Sequence, residues 1–243
     1  MASKEIRYKE HTFKLVYELV NPAQDEVLLV LHGWGSNKEI MKQAFANTLP
    51  DYKHIYLDMP GFGKSTNEMI LTTVDYANIV QLFLDALGVT ATIAMGHSFG
   101  GKVSTLLNTS CLVLLSSAGI LTVKPWSVKV KIATFKLLKP LGMKKIRELF
   151  VAPDVQGMSH EMYETFKNVV DEDFEAEFAK SQSKALCFWG KEDTATPLYT
   201  GEKIAGLIKN SAFYPLDGDH YFFLTHKDFI AKAITEHCKD MNQ

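Results

Sequence analysis

Three side chains along this chain could together turn a hydroxyl group into a nucleophile, and they come in the order serine, aspartate, histidine. Ser98 lies in Gly96-His97-Ser98-Phe99-Gly100-Gly101, after a short apolar and β-branched run (92–95) and before a helical pattern beginning near Lys102. A serine on a tight strand-to-helix turn holds its hydroxyl clear of the chain, above the carboxyl end of a sheet. Side chains two residues to either side would crowd such a turn, which explains glycine at 96 and 100. A helix starting beside the serine aims its free N–H groups at any negative charge that develops there. Alone, Gly-X-Ser-X-Gly occurs in ordinary turns; the flanking strand and helix make Ser98 the candidate nucleophile.

The other two partners end strands in the same way. The run 185–189 passes into Gly190-Lys191-Glu192-Asp193-Thr194-Ala195-Thr196-Pro197, and the run 212–216 into Asp217-Gly218-Asp219-His220. An imidazole beyond the last strand can reach back over the sheet, take the serine proton and return it to a leaving group. His220 fits that role, with Asp193 holding its tautomer and stabilising the imidazolium. Glu192 and Asp173 read as solvated acids. Acyl transfer also needs two donors on the oxyanion, and losing one costs about 3 kcal/mol. The turn His32-Gly33-Trp34-Gly35 follows the run 27–31, so the amides of Trp34 and Phe99 form the expected pair. Gly33, His97, Trp189 and Arg147 are expected at the substrate pocket, Arg147 as a planar clamp for carboxylates. His54 opens a strand, and His11, His160, His226 and His237 read as surface positions. No histidine spacing matches a metal site, and the chemistry requires no cofactor.

These residues need a scaffold that brings strand ends together. Short apolar runs at 13–20, 27–31, 54–58, 92–95, 112–115, 185–189 and 212–216 alternate with helical patterns at 72–87 and 227–237. In the first, Val74, Ala77, Val80, Leu84 and Leu87 form the apolar stripe; in the second, Phe229, Ile230, Ala233 and Ile234 do. Near-continuous apolar strands alternating with helices predict an α/β fold: a mainly parallel sheet covered on both faces, with ligands at the carboxyl ends of the strands. The alternation breaks over 121–183, where helix-like pieces follow one another between prolines and glycines. This segment is expected to be a helical insertion, leaving 1–120 and 184–243 as the core.

Composition narrows the class. With 243 residues, 47% of them hydrophobic, the chain can bury one substantial core. A net charge of −2 argues against nucleic-acid binding. The polar start of the chain and the lack of an 18-residue apolar run predict a cytoplasmic protein with no membrane span. Three scattered cysteines, Cys111, Cys187 and Cys238, indicate neither a disulfide framework nor a zinc site. Charge is uneven in the insertion. Seven lysines and Arg147 face one acid over 124–148, whereas eight acids face Lys167 over 154–177. Either the basic stretch steers an anionic substrate or an acidic acyl-carrier protein, or the two stretches neutralise each other.

The pieces His32-Gly33-Trp34-Gly35, Asp58-Met59-Pro60-Gly61-Phe62-Gly63-Lys64-Ser65, Gly96 to Gly101, Trp189 to Asp193 with Pro197, and Gly218-Asp219-His220 together resemble the α/β-hydrolase superfamily over nearly the whole chain. The resemblance implies a helical lid at 121–183 and a structural loop at 58–65. Within the superfamily the chain is similar both to hydrolases of 2-hydroxy-6-oxo-dienoates, which split a carbon–carbon bond, and to esterases of pimeloyl-carrier-protein methyl ester. It departs from the first in having His97 before the serine, and from the second in having His97 and Phe99 around it. A small-molecule acyl ester is the expected substrate, carbon–carbon hydrolysis the alternative, and a non-catalytic binder of the same fold the rival of another class.

Overall fold

A computed structural model describes residues 1–122 and 158–238. Eight strands form one sheet: β1 (Ala2–Tyr8), β2 (His11–Val20), β3 (Val27–Leu31), β4 (Lys53–Leu57), β5 (Ile93–His97), β6 (Cys111–Leu115), β7 (Lys184–Gly190) and β8 (Ser211–Leu216). Their order is β1-β2-β4-β3-β5-β6-β7-β8. β1 and β2 enter antiparallel, and from β4 to β8 every pairing is parallel. All five residues of β3, β5 and β6 are buried, as strands covered on both faces require.

The covering helices are α1 (Lys38–Phe45), α2 (Thr73–Leu87), α3 (Phe99–Thr105), α4 (His160–Val170), α5 (Glu175–Lys180), α6 (Leu198–Leu207) and α7 (Lys227–Cys238). Alternate strand residues feed opposite cores. Leu28, Val30, Ile93, Met95 and Val113 pack with α1 and α7, whereas Leu29, Leu31 and Ala94 pack with α2 and α3. Leu112, Leu114 and Trp189 extend that second face beneath α6. In α2 a capping box between Thr72 and Asp75 fixes the start, and Gly88, in the left-handed conformation, ends the helix.

Four expectations need correction. β1 is a strand that the polar start of the chain conceals: only Ile6 of its seven residues is buried, because an edge strand needs just one face. The buried stripe of α2 runs through Tyr76, Ala77, Ile79, Val80, Phe83 and Leu84, leaving Val74 53% exposed; Val74 lies on the side that carries Asn78, Gln81 and Asp85, which face away from the core. Phe229 is likewise exposed on α7, where Ile230, Ala233 and Ile234 are buried. Cys111 and Cys238 form a disulfide between the first residue of β6 and the last of α7, their Cα atoms 6.1 Å apart across 127 positions of sequence. Cys187 is free and buried.

Of the segment 121–183, the described part carries α4 and α5. The basic stretch 124–148 and Arg147 lie outside the described residues. Among the described residues no helix is long and apolar enough to cross a membrane.

Candidate active site

β5 delivers Ser98 at its carboxyl end, and α3 begins at the next residue. The backbone of Ser98 has φ 51° and ψ −114°, a region that side-chain-bearing residues occupy only when their surroundings hold them there. Strain thus falls on the serine itself, and the glycines make room for it. A Cβ on Gly96 would stand 2.2 Å from the carbonyl oxygen of Gly100, and one on Gly100 would stand 2.5 Å from that of His32. The Ser98 carbonyl accepts from the amides of Gly101 and Ala118, which locks the turn to the end of β6. The Phe99 amide, first of α3, has no acceptor within the helix, as in any first turn.

The turn 32–35, where the oxyanion donors are expected, lies directly against this elbow. A Cβ on Gly33 would meet His97 Nδ1 at 3.0 Å and Ser98 Cβ at 3.2 Å. His32, fully buried, braces the turn: its Nδ1–H donates to the Gly33 carbonyl (2.7 Å) and its Nε2 accepts from the Met59 amide (3.1 Å). Burial pushes this imidazole down to about 4, so it is held neutral, as that donor–acceptor pattern requires. The 58–65 loop is anchored in turn by buried Asp58, which accepts from the Lys38 amide (2.8 Å), the Lys64 amide (3.1 Å) and Lys38 Nζ (3.1 Å). These contacts give the loop a structural part.

β7 and β8 supply the other two groups. His220 Nδ1 donates to Asp193 Oδ2 at 2.8 Å. Asp193 Oδ1 accepts from the amides of Ala195 (2.8 Å) and Thr196 (2.9 Å), and Thr196 Oγ1 donates to Oδ2 at 2.8 Å. Burial would raise the pKa of this carboxyl, but the His220 ring and the donors around it bring it to about 2. A carboxylate so saturated stays ionised and faces the imidazole in one orientation.

His97 bridges the two halves. It is 2% exposed, its Nε2–H donates to the His220 carbonyl at 3.0 Å, and its ring lies 4.5 Å from the His220 ring, centroid to centroid. The residue before the serine is therefore bound to the loop that carries the imidazole. Burial, reinforced by the nearby His220, pushes His97 down to about 3. No hydrogen bond joins Ser98 Oγ to His220 among the described contacts; such bonds often tighten only with substrate in place.

The structure thus brings Ser98, His97, Gly33, Trp34 and Phe99 to one point, with His220 beside them and Asp193 behind. Trp189 sits elsewhere: it is fully buried beneath α6, with its indole N–H donating to the Thr196 carbonyl (2.8 Å). It steadies the Asp193 loop from the core. Sequence reasoning passed over Thr196, whose hydroxyl also lies 3.4 Å from His220 Nδ1; its place three residues past Asp193, in a turn closed by Pro197, was the available signal. Among the described residues no group of three histidine, cysteine or acidic side chains is arranged to hold a metal ion.

Comparison with known proteins agrees with this architecture. Residues 26–137 match the family model described as alpha/beta hydrolase fold. The chain is 27% identical to an uncharacterized hydrolase, YugF, of Bacillus subtilis (strain 168), over 90% of each chain. It is 23% identical to a pimeloyl-[acyl-carrier protein] methyl ester esterase of Shewanella woodyi, covering 88% of this chain and 94% of that one. Among solved structures, an esterase from Exiguobacterium antarcticum superposes with a TM-score of 0.76 at 20% identity, covering 98% of this chain and all of the other.

Proposed function

The chain is a hydrolase of the α/β-hydrolase family, and from that premise we propose that it is a serine esterase acting on a small carboxylic ester. The observation that carries this reading is the saturated Asp193–His220 pair, whose His220 carbonyl is bound by His97, the residue preceding a serine with φ 51°. In the proposed cycle Ser98 Oγ attacks the ester carbonyl while its proton passes to His220 Nε2. The amides of Trp34 and Phe99 hold the oxyanion. Collapse expels the alcohol, which takes the proton from His220, and leaves an acyl group on Ser98. Water then attacks that acyl group, giving its proton to His220, and the acid departs as Ser98 recovers its hydrogen. Asp193 stays ionised throughout and offsets the charge of the imidazolium.

The segment 121–183 is the proposed lid over this site, with 1–120 and 184–243 as the core. The similarity to an esterase of a carrier-protein ester supports an acyl substrate, and the carrier-protein contact expected at 124–148 belongs to the same proposal. A fluorophosphonate probe tests the chemistry: labelling of the wild type that vanishes in Ser98→Ala supports it, and an unlabelled wild type overturns it in favour of a non-catalytic binder. Turnover of nitrophenyl esters measured beside a 2-hydroxy-6-oxo-dienoate separates ester from carbon–carbon hydrolysis.

A further inference from the structure

Lys102 stands four positions after Ser98 on α3, and its side chain is 1% exposed. Its ammonium group donates to the carbonyl of Val169 (2.7 Å), in the last turn of α4, and to Glu172 Oε2 (2.6 Å) just beyond that helix. The charge also lies 5.3 Å from the Phe174 ring centroid and 5.9 Å from that of Phe99. Glu172 accepts in addition from Thr73 Oγ1 at the start of α2 (2.5 Å). A buried ammonium whose two hydrogen-bond acceptors among the described residues lie on one neighbouring segment ties that segment down, since losing either acceptor leaves a buried charge less compensated.

What it fixes is α4. Thr165 Oγ1 of that helix accepts from the Leu71 amide (2.9 Å), and Asn168 donates to the Leu71 carbonyl (3.2 Å), which sets the rotation of the helix about its axis. With Met162, Thr165 and Val169 facing the core, Phe166 comes to rest 5.4 Å from the Trp34 ring. Trp34 also meets Phe62 at 4.8 Å and Phe99 at 5.5 Å. Among the described residues its buried indole Nε1 has no hydrogen-bond partner, and the rings of Phe62, Phe99 and Phe166 hold it beside the proposed nucleophile.

We infer that Lys102 is a positioning residue that pins α4, so that Phe166 and Trp34 form a fixed wall selecting an apolar acyl chain. This inference rests on the esterase reading above and deepens it. Removing the pin lets α4 shift, the wall loosens, and binding of a long acyl chain suffers while chemistry at Ser98 on a short one continues. Because Lys102 and Phe166 act through one helix, their effects do not add.

Nitrophenyl acetate and octanoate, assayed with wild type, Lys102→Met, Phe166→Ala and the double variant, test this. Each single variant is expected to raise KM for octanoate about tenfold and to lower kcat/KM for octanoate several-fold more than for acetate. The double variant is expected to lose no more than the worse single one. Multiplying effects, or equal losses on both esters, overturn the inference. If Lys102→Met does not fold by circular dichroism, Glu172→Gln replaces it, with a smaller shift in the same direction. Amide exchange over 160–170 reads the pin without turnover: faster exchange in the variant supports it and unchanged exchange overturns it. A wild type that fluorophosphonate does not label defeats the esterase reading instead, so the two failures are distinct.

Discussion

Acid is expected to unfold this protein through the imidazoles that brace its site. His32 and His97 are buried in the neutral form, at about 4 and about 3 against an ordinary value of 6.5, chiefly because burial penalises their charged forms. Their folded values lie below the unfolded one, so between them the unfolded chain binds more protons. Stability from these groups is therefore present above pH 6.5 and is lost as pH falls toward 4 and 3. From pH 7 to pH 5 each group forfeits about 1.9 kcal/mol, close to 4 kcal/mol for the pair. That is a large part of the ~5–15 kcal/mol typical of a whole domain. At roughly 2–4 °C per kcal/mol for a chain of this size, Tm falls by about 8–16 °C. Urea titrations at several pH values, followed by tryptophan fluorescence, measure the slope, and His97→Gln isolates one share of it. Whatever its stability at pH 7, that variant is expected to lose about 2 kcal/mol less than wild type on going to pH 5. A wild-type stability that stays level between pH 7 and 5, or a variant as steep as wild type, refutes the claim that these rings are held neutral by burial.

Thr196→Val removes a hydroxyl bonded to Asp193 and is expected to lower kcat about tenfold, the equivalent of one hydrogen bond of ~1–1.5 kcal/mol, with KM unchanged; steady-state kinetics on a nitrophenyl ester checks this. Gly100→Ala places a Cβ 2.5 Å from the His32 carbonyl oxygen and 2.7 Å from that of Leu31. Neither backbone can retreat, so a loss of about 3 kcal/mol in urea unfolding is expected. Ser98→Gly frees the strained backbone of the elbow and is expected to raise stability by about 1 kcal/mol while abolishing fluorophosphonate labelling. A melt no higher than that of Ser98→Ala counts against stored strain.

What the sequence discloses depends on how locally each constraint is written. β3 falls on the expected residues, and β5 to β8 start and stop within about two of theirs, because a strand buried on both faces must be apolar at every position. β1 escapes because its constraint is one buried residue, Ile6. The elbow is legible for the same local reason as β3: the crowding that demands glycine at 96 and 100 arises within five residues. Asp193 and His220 are legible because each follows a readable strand. The segment 121–183 offers no such anchor, since helix-like pieces between prolines do not say which core residues they touch.

The residues that hold the candidate groups in place follow a different logic. His97 reads as a pocket residue, Thr196 as an ordinary turn residue and Lys102 as one more helix position, yet their partners lie 123, 80 and 67–70 positions away in some of the contacts that define them. No periodicity reports such distances. The disulfide between Cys111 and Cys238 is hidden in the same way, because two cysteines 127 positions apart look unrelated until β6 and α7 pack together. A candidate triad can therefore be proposed from strand ends, while the contacts that would hold it in place cannot be read there. Those contacts are His97 donating to the His220 carbonyl, the Thr196 hydroxyl against the Asp193 carboxylate, and the buried Lys102 ammonium joining α3 to α4. Substitutions at these supports are expected to alter orientation and selectivity while leaving Ser98, Asp193 and His220 themselves unchanged.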